Sequence, residues 1–279
     1  MASIVSDMWS HVTVLIENEW AEKGTGFFVS RDPTNSRRKY FVVTAKHNLY
    51  NEAWQRSDLS EVHLHVNVKT NGQIIGEQIT LPLTHENGEH HIWQEHPEQD
   101  VDVVALDVTH LIDEREDLEY KAASYENLAD ANRIKEEQIL PGDDVVVVGY
   151  PKGIRQGDTN YPVFRQGMLA TRIEEELHKD IAVNPHGTTV YNHTPRGFLI
   201  DGAIIKGLSG SPVILKPFLQ LSTEEDDMIF GHANPLILGV IAQTRDAPRV
   251  TPTGHIESHA GLALAFDADT IRETVELFF

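Results

Sequence analysis

The chain has 279 residues, of which 43 are acidic and 23 are basic, so its formal net charge is −20. That much negative charge repels nucleic-acid phosphates and anionic lipid headgroups, so we expect neither nucleic acid nor a membrane as a partner. The length allows one large domain or two small ones, and a hydrophobic fraction of 40% is enough for a packed core.

The sequence contains no cysteine, so it can form no disulfide, and this favours a reducing compartment. Its N-terminus lacks a basic segment followed by an apolar run, and no apolar stretch is long enough to span a bilayer. These observations predict a cytoplasmic protein.

In chain order, the first half carries short segments rich in Val, Ile and Phe, separated by turn residues, and these predict β-strands. The stretch 62–69 alternates apolar and polar residues, as a half-buried strand does, so we expect His63 and His65 to face solvent. The predicted strands of this half are 11–17, 24–30, 40–46, 62–69, 74–81 and 102–108.

Residues 110–139 are charged, and this pattern predicts a linker that contains about one helix. At the C-terminus, Asp269 is a candidate helix N-cap, because Ile271, Val275 and Phe278 follow it at helical spacing. The predicted strands of the second half are 143–149, 163–172, 197–205, 211–216, 236–243 and 261–266.

These patterns predict an all-β fold of two six-stranded antiparallel β-barrels with a C-terminal α-helix. The expected boundaries are an N-terminal barrel over 1–109, the linker over 110–139, and a C-terminal barrel with its helix over 140–279.

Three short segments carry residues suited to nucleophilic chemistry. His47 ends an apolar strand, Asp102 opens an apolar run, and Ser209 lies in a glycine turn, residues 207–212 (GLSGSP). A serine hydroxyl is a weak nucleophile at neutral pH, so it needs a nearby base, and the base needs an orienting carboxylate. Histidine suits the role of base because its pKa lies near 7.

The order of these three residues, with their flanking sequences, resembles the chymotrypsin/trypsin-like serine proteases. Residues 24–28 (GTGFF) are similar to the strand that precedes the histidine strand in that family. Residues 44–47 (TAKH), 102–106 (DVVAL) and 207–212 resemble the family's histidine, aspartate and serine motifs. The resemblance implies a chymotrypsin-like arrangement of the two barrels.

The closer similarity is to the bacterial HtrA/Deg-type branch. Residues 201–210 (DGAIIKGLSG), 141–151 (PGDDVVVVGYP) and 261–266 (GLALAF) resemble segments of that branch. No PDZ-like module follows the protease region, so we do not expect the activation by bound peptides that such modules provide.

The resemblance implies a serine endopeptidase that works through an acyl-enzyme. Ser209 would be the nucleophile, His47 the general base and then acid, and Asp102 the orienting carboxylate, with Asp100 a near competitor for that role. The N–H groups of Gly207 and Ser209 would form the oxyanion hole. The specificity pocket would be built from Ala203, Ile204, Ile205, Val240, Ile241 and Ala242.

That pocket has no acidic residue at its base, which predicts cleavage after small or medium aliphatic residues rather than after Lys or Arg. The partner is then a protein or peptide substrate. Leu208 stands where trypsins activated by cleavage carry an aspartate, so we do not expect that kind of activation. Ser211 replaces a glycine of the family's motif.

No cofactor is expected. The histidines at 85, 90, 91 and 96 match no zinc-binding spacing, so we expect a solvated loop and no metal site there. A cytosolic protease without a pro-segment needs restraint, so we expect a regulatory partner or an activating ligand, with 152–162 and 174–196 as candidate switch segments. The alternative function is a catalytically silent trypsin-like fold used as a binding or sensing module.

Overall fold

The computed structural model describes residues 2–33, 37–50, 60–83, 92–183, 189–194, 196–221, 229–232, 236–251 and 254–279. Most of these residues form β-strands. The first half contains α1 (Ala2–Val12), β1 (Thr13–Asn18), β2 (Lys23–Arg31), β3 (Lys39–Thr44), a 3-10 helix (Lys46–Leu49), β4 (Glu61–Thr70), β5 (Gln73–Pro82), β6 (Trp93–Glu95) and β7 (Val104–Asp107).

The middle of the chain contributes to the first half instead of only connecting it to the second. It contains α2 (Thr109–Glu114), β8 (Ala123–Ser124), a 3-10 helix (Tyr125–Asn127) and α3 (Ala131–Glu136). β8 pairs in parallel with β2, through Val29 and Ala123. The predicted linker therefore carries a strand of the first sheet.

The second half contains β9 (Asp144–Gly149), a 3-10 helix (Pro151–Gly153), β10 (Val163–Leu169), β11 (Leu177–Val183), β12 (Thr189–Thr194), β13 (Gly197–Gly202), β14 (Pro212–Leu215), β15 (Phe218–Leu221), β16 (Ile229–His232), β17 (Ile237–Thr251), β18 (Gly254–Asp267) and α4 (Ala268–Glu276). Six of these strands close into a barrel in the order β10-β13-β18-β17-β14-β9. This barrel confirms the predicted architecture of the second half.

The predicted six-stranded barrel of the first half is not confirmed. Its eight strands form a sheet in the order β5-β4-β1-β2-β3-β7-β6, with β8 beside β2, and the described strands do not close this path. β5 is long, and its polar residues are mostly exposed, so it ends the sheet at a solvated edge.

One core cluster is shared by the two halves. Phe27 and Phe41 from the first sheet lie in it with Val148 and Val240 from the barrel. Trp9 of α1 is 1% exposed and belongs to the same cluster. Burial of this apolar surface fixes the two halves against each other, which a site built from both requires.

The C-terminal helix forms as predicted but begins two residues earlier. Asp267, not Asp269, is the N-cap, because its side chain accepts a hydrogen bond from the Thr270 N–H. Ile271 and Val275 are fully buried in the shared core cluster, one helical turn apart. Among the described residues, no helix has the length and hydrophobicity needed to cross a bilayer.

The prediction that His65 faces solvent is wrong. Its ring is buried, with Nε2 2.9 Å from Glu17 and Nδ1 3.1 Å from Arg155. Glu17 lies on the neighbouring β1, and Arg155 follows the 3-10 helix at Pro151–Gly153. These two side chains cover a face of β4 that an isolated alternating strand would leave in water.

Candidate active site

His47 and Asp102 meet at the edge of the first sheet. His47 lies in the 3-10 helix directly after β3, and Asp102 lies two residues before β7, the strand that pairs with β3. Asp102 Oδ2 is 2.6 Å from His47 Nδ1, and Asp102 Oδ1 accepts the His47 backbone N–H at 3.1 Å. An ionised carboxylate only accepts hydrogen bonds, so the proton in this contact lies on Nδ1, and Nε2 is then the acceptor nitrogen of the neutral imidazole.

The loop that carries Asp102 is held by a buried lysine. Lys46 Nζ donates to the backbone carbonyls of His96, at 3.3 Å, and Glu98, at 3.4 Å. Burial lowers the pKa of Lys46, and the nearby carboxylates of Glu95 and Asp102 oppose that shift. Lys46 therefore fixes the path of the chain leading to Asp102. Asp100, the competitor for the carboxylate role, is exposed.

Ser209 lies in a tight loop between β13 and β14, which two glycines make possible. Gly207 and Gly210 have φ angles of +96° and +84°, a region that favours glycine. A Cβ on Gly207 would lie 2.5 Å from the Lys152 backbone nitrogen, and one on Gly210 would overlap the Thr25 carbonyl oxygen. A larger residue at Gly207 would push the loop away from the segment that follows β9, and one at Gly210 would push it away from the first sheet.

Both halves of the molecule hold this loop. The Gly210 N–H donates to Ile241 of the barrel at 2.6 Å. The Ser209 carbonyl accepts the Thr25 N–H and the Asn48 side-chain amide, each at 2.9 Å. Asn48 directly follows His47, so the structure brings the Ser209 loop to the turn that carries the histidine.

The N–H groups predicted to form the oxyanion hole belong to Gly207 and Ser209. Among the described residues, no backbone acceptor receives a hydrogen bond from the N–H of Gly207 or Ser209. The Gly207 carbonyl, in contrast, is held by the Thr25 hydroxyl at 2.8 Å. The peptide groups around Ser209 are thus fixed while these two donors remain available to an outside acceptor.

Comparison with known proteins shows the family of this chain. A family model described as the trypsin-like peptidase domain matches residues 24–216, which include His47, Asp102 and Ser209. The chain belongs to the trypsin-like peptidase family. No curated protein sequence matches it significantly.

Three solved structures are similar to this trypsin-like peptidase at low sequence identity, and the similarity to Deg5 supports a shared fold. Deg5 is 16% identical, with a TM-score of 0.51, over 99% of this chain and 93% of that chain. The active form of the Rv3671c protease from M. tuberculosis is 14% identical, with a TM-score of 0.47, over 98% of this chain and 82% of that chain. The inactive form of Rv3671c has 14% identity and a TM-score of 0.45, over 98% and 91% of the two chains.

The residues predicted to line the specificity pocket differ in exposure. Ala203 is exposed and Ile205 is half-buried. The other four, Ile204, Val240, Ile241 and Ala242, are buried in core clusters of the peptidase. Only Ala203 and Ile205 therefore offer side-chain surface to a substrate, and the pocket stays a prediction.

Of the four histidines considered for zinc, only His96 lies within the described residues; His85, His90 and His91 fall outside them. His96 is buried, with Nε2 2.8 Å from Glu273. His96, Glu98 and Glu273 bring possible ligand atoms within 4.8 Å of one another. Arg196 bonds both carboxylates, at 3.4 and 3.2 Å, so the protein itself supplies the positive charge at this cluster.

The sequence patterns missed three polar residues beside Ser209: Thr25, Thr44 and Asn48. All three are buried. Their partners are distant in sequence, since the Asn48 amide reaches Ser209 across 161 residues. The local signals were the positions of Thr25 and Thr44 inside the motifs 24–28 and 44–47, and of Asn48 directly after the second motif.

Proposed function

We propose that this trypsin-like peptidase is a serine endopeptidase with His47, Asp102 and Ser209 as its catalytic triad. The supporting observation is the 2.6 Å contact between Asp102 and His47 Nδ1. The next residue, Asn48, donates a hydrogen bond to the Ser209 carbonyl and so brings the serine close to this pair. With Nδ1 bonded to Asp102, Nε2 is the ring nitrogen that can accept the proton of Ser209 in the proposed reaction.

In the proposed reaction, Ser209 Oγ bonds to the substrate carbonyl carbon while its proton passes to His47 Nε2. The negative charge that develops on the carbonyl oxygen is stabilised by the N–H groups of Gly207 and Ser209. The C–N bond then breaks, the amine leaves with the proton from His47, and the acyl group stays on Ser209. Water, activated by His47, hydrolyses this ester and restores the serine.

Substrate preference rests on the character of the proposed pocket. Ala203 and Ile205 present small and aliphatic side chains, and the pocket sequence supplies no carboxylate for a Lys or Arg side chain. We expect cleavage after small or medium aliphatic residues. Profiling with a peptide library tests this, and a preference for Lys or Arg would contradict it.

An activity-based probe tests the proposed triad. A fluorophosphonate should label the wild-type protein on Ser209, and Ser209→Ala should abolish labelling while keeping the same thermal unfolding midpoint. Turnover in Ser209→Ala should fall by roughly 10⁶-fold, as for other deletions of a serine nucleophile. A folded wild-type protein that no fluorophosphonate labels would support the binding-module alternative instead.

A further inference from the structure

A chain of buried polar groups joins the histidine turn to the serine loop. The Asn48 amide donates to Thr44 Oγ1 at 2.8 Å, and the Thr44 hydroxyl donates in turn to the Thr25 carbonyl at 2.6 Å. Thr25 and Thr44 are 0% exposed and Asn48 is 9% exposed. Buried polar groups cost stability unless they are hydrogen-bonded, and here each of these donors has an acceptor.

The second proton of the Asn48 amide goes to the Ser209 carbonyl, at 2.9 Å. A carbonyl oxygen cannot donate, so this contact fixes which end of the Asn48 side chain faces Ser209. The same carbonyl accepts the Thr25 backbone N–H. The main chain of Ser209 is therefore held by two donors of the first half, one of which is a side chain that can be removed by substitution.

Glycines leave the space that the Asn48 side chain occupies. A Cβ on Gly24 would overlap the Asn48 amide group, and a Cβ on Gly210 would lie 3.0 Å from Asn48 Nδ2. The amide thus fits between β2 and the serine loop, and a longer side chain at position 48 would meet the same walls.

We propose that Asn48 is a positioning residue for the serine reaction, an inference that rests on the function proposed above. His47 and Ser209 come from different halves, and a displacement of about 1 Å between reacting groups can cost about 10²-fold in rate. The Ser209 hydroxyl and N–H are carried by the same main chain as this carbonyl, so a displacement of the Ser209 backbone would move both. The Asn48 amide opposes that displacement from the residue next to the base.

Asn160 provides a matched control. It is also a buried asparagine that joins the halves, since its Nδ2 donates to the Val66 carbonyl of β4 at 2.6 Å, and it makes none of the contacts at Ser209. Alanine at either position removes a buried hydrogen bond between the halves, so both variants should lose stability by similar amounts. Only Asn48→Ala should lower the rate at which Ser209 reacts.

The experiment compares second-order labelling by a fluorophosphonate and the kcat and KM for peptide cleavage, below the unfolding midpoint of each variant. Asn48→Ala should lower the labelling rate and kcat by about 10²-fold, with KM changed by less than about threefold. Asn48→Asp keeps the shape but places an acceptor against the Ser209 carbonyl, so it should be slowed at least as much. Asn160→Ala should keep the wild-type kcat.

Each outcome bears on one proposal or both. Wild-type protein that is not labelled would overturn this inference and the proposed function together. If the wild type is labelled, and Asn48→Ala and Asn48→Asp are labelled at the same rate as the wild type, this inference alone would be overturned. An equal slowing in Asn160→Ala would also overturn it, because the effect would then come from general loosening between the halves. If Asn48→Ala does not fold, the rates of Asn48→Asp decide.

Discussion

Two buried hydroxyls beside Ser209 differ in how they are satisfied. Thr25 Oγ1 donates to the Gly207 carbonyl at 2.8 Å and accepts the Tyr150 N–H at 3.0 Å. Ser211 is equally buried, but among the described residues its hydroxyl has no hydrogen-bond partner. The Thr25 hydroxyl therefore stabilises the loop that carries Ser209. The Ser211 hydroxyl loses its hydrogen bonds to water on folding and gains none in the protein, which lowers stability.

This difference predicts opposite effects of two substitutions on stability. Ser211→Ala should raise the free energy of unfolding by about 1 kcal/mol, because it removes an unpaired buried hydroxyl. Thr25→Val, which keeps the shape but loses both hydrogen bonds, should lower it by about 2 kcal/mol. Urea unfolding measures both; a loss of stability in Ser211→Ala would show that its hydroxyl is bonded in solution.

For single residues, the sequence predicts a role where a short local motif surrounds the residue. His47, Asp102 and Ser209 each stand in such a motif, and the structure brings the first two into contact. The roles of Thr25, Thr44 and Asn48 could not be predicted, because a hydrogen bond to the serine loop depends on how the halves pack. No spacing in the chain encodes that contact.

Among the elements, α4 shows how the halves are joined by charge as well as by packing. Arg196, next to β13, bonds Asp267 at the start of α4 and Glu273 one and a half turns later. Burial raises the pKa of Asp267, and Arg196 opposes that shift. The same guanidinium reaches Glu98 in the segment that leads to Asp102. The Arg196 guanidinium therefore links α4, the barrel and the segment that leads to Asp102.

Removal of that cation should destabilise the protein strongly. Arg196→Leu would leave the largely buried Asp267 carboxylate without its partner, with an expected loss of about 3 kcal/mol in the free energy of unfolding. The control is Arg172→Leu, because Arg172 pairs with Glu175 at the surface, and its loss should change stability by less than about 0.5 kcal/mol. Equal, small effects in urea unfolding would contradict the shared role of Arg196.

Elements with strong local patterns were predictable and others were not. The strands of the barrel and α4 follow their hydrophobic periodicity. α1 was missed because its first residues include β-branched ones with weak helix preference, and its stability comes from Trp9 and Val12 packing in the shared core. β8 was missed because two residues in a charged segment carry no strand signal.

In the whole molecule, a second polar junction joins the halves away from Ser209. His65 of β4 contacts Glu17 of β1 and Arg155 of the segment after β9, and Lys23 of β2 lies close enough to act on its charge. Burial lowers the pKa of His65 from 6.5, and Arg155 and Lys23 act in the same direction against the opposing effect of Glu17. Neutral His65 accepts a hydrogen bond from Arg155, whereas a protonated His65 would place a second positive charge against that cation.

This junction predicts that acid loosens the molecule. The unfolded chain takes up a proton at His65 near pH 6.5, while the folded protein does so only at lower pH, so stability falls as the pH drops below about 6.5. The slope from this one group reaches at most about 1.4 kcal/mol per pH unit. His65→Gln should remove that component from the unfolding free energy measured between pH 7 and pH 5.

His63, half-buried and two residues away on the same strand, supplies the matched variant His63→Gln. An equal change of the pH dependence in both variants would show that the effect is not specific to the His65 junction. If His65→Gln and the wild type lose stability in parallel as the pH falls, the titration of His65 does not couple to folding.

The most direct test of the central claim is hydrolysis of an unfolded protein such as casein, followed by mass spectrometry of the fragments. The wild-type protein should cleave peptide bonds, mainly after small or medium aliphatic residues, and Ser209→Ala, equally folded, should produce no fragments. Cleavage by Ser209→Ala at the wild-type rate, or no cleavage by folded wild-type protein, would contradict the proposed peptidase mechanism.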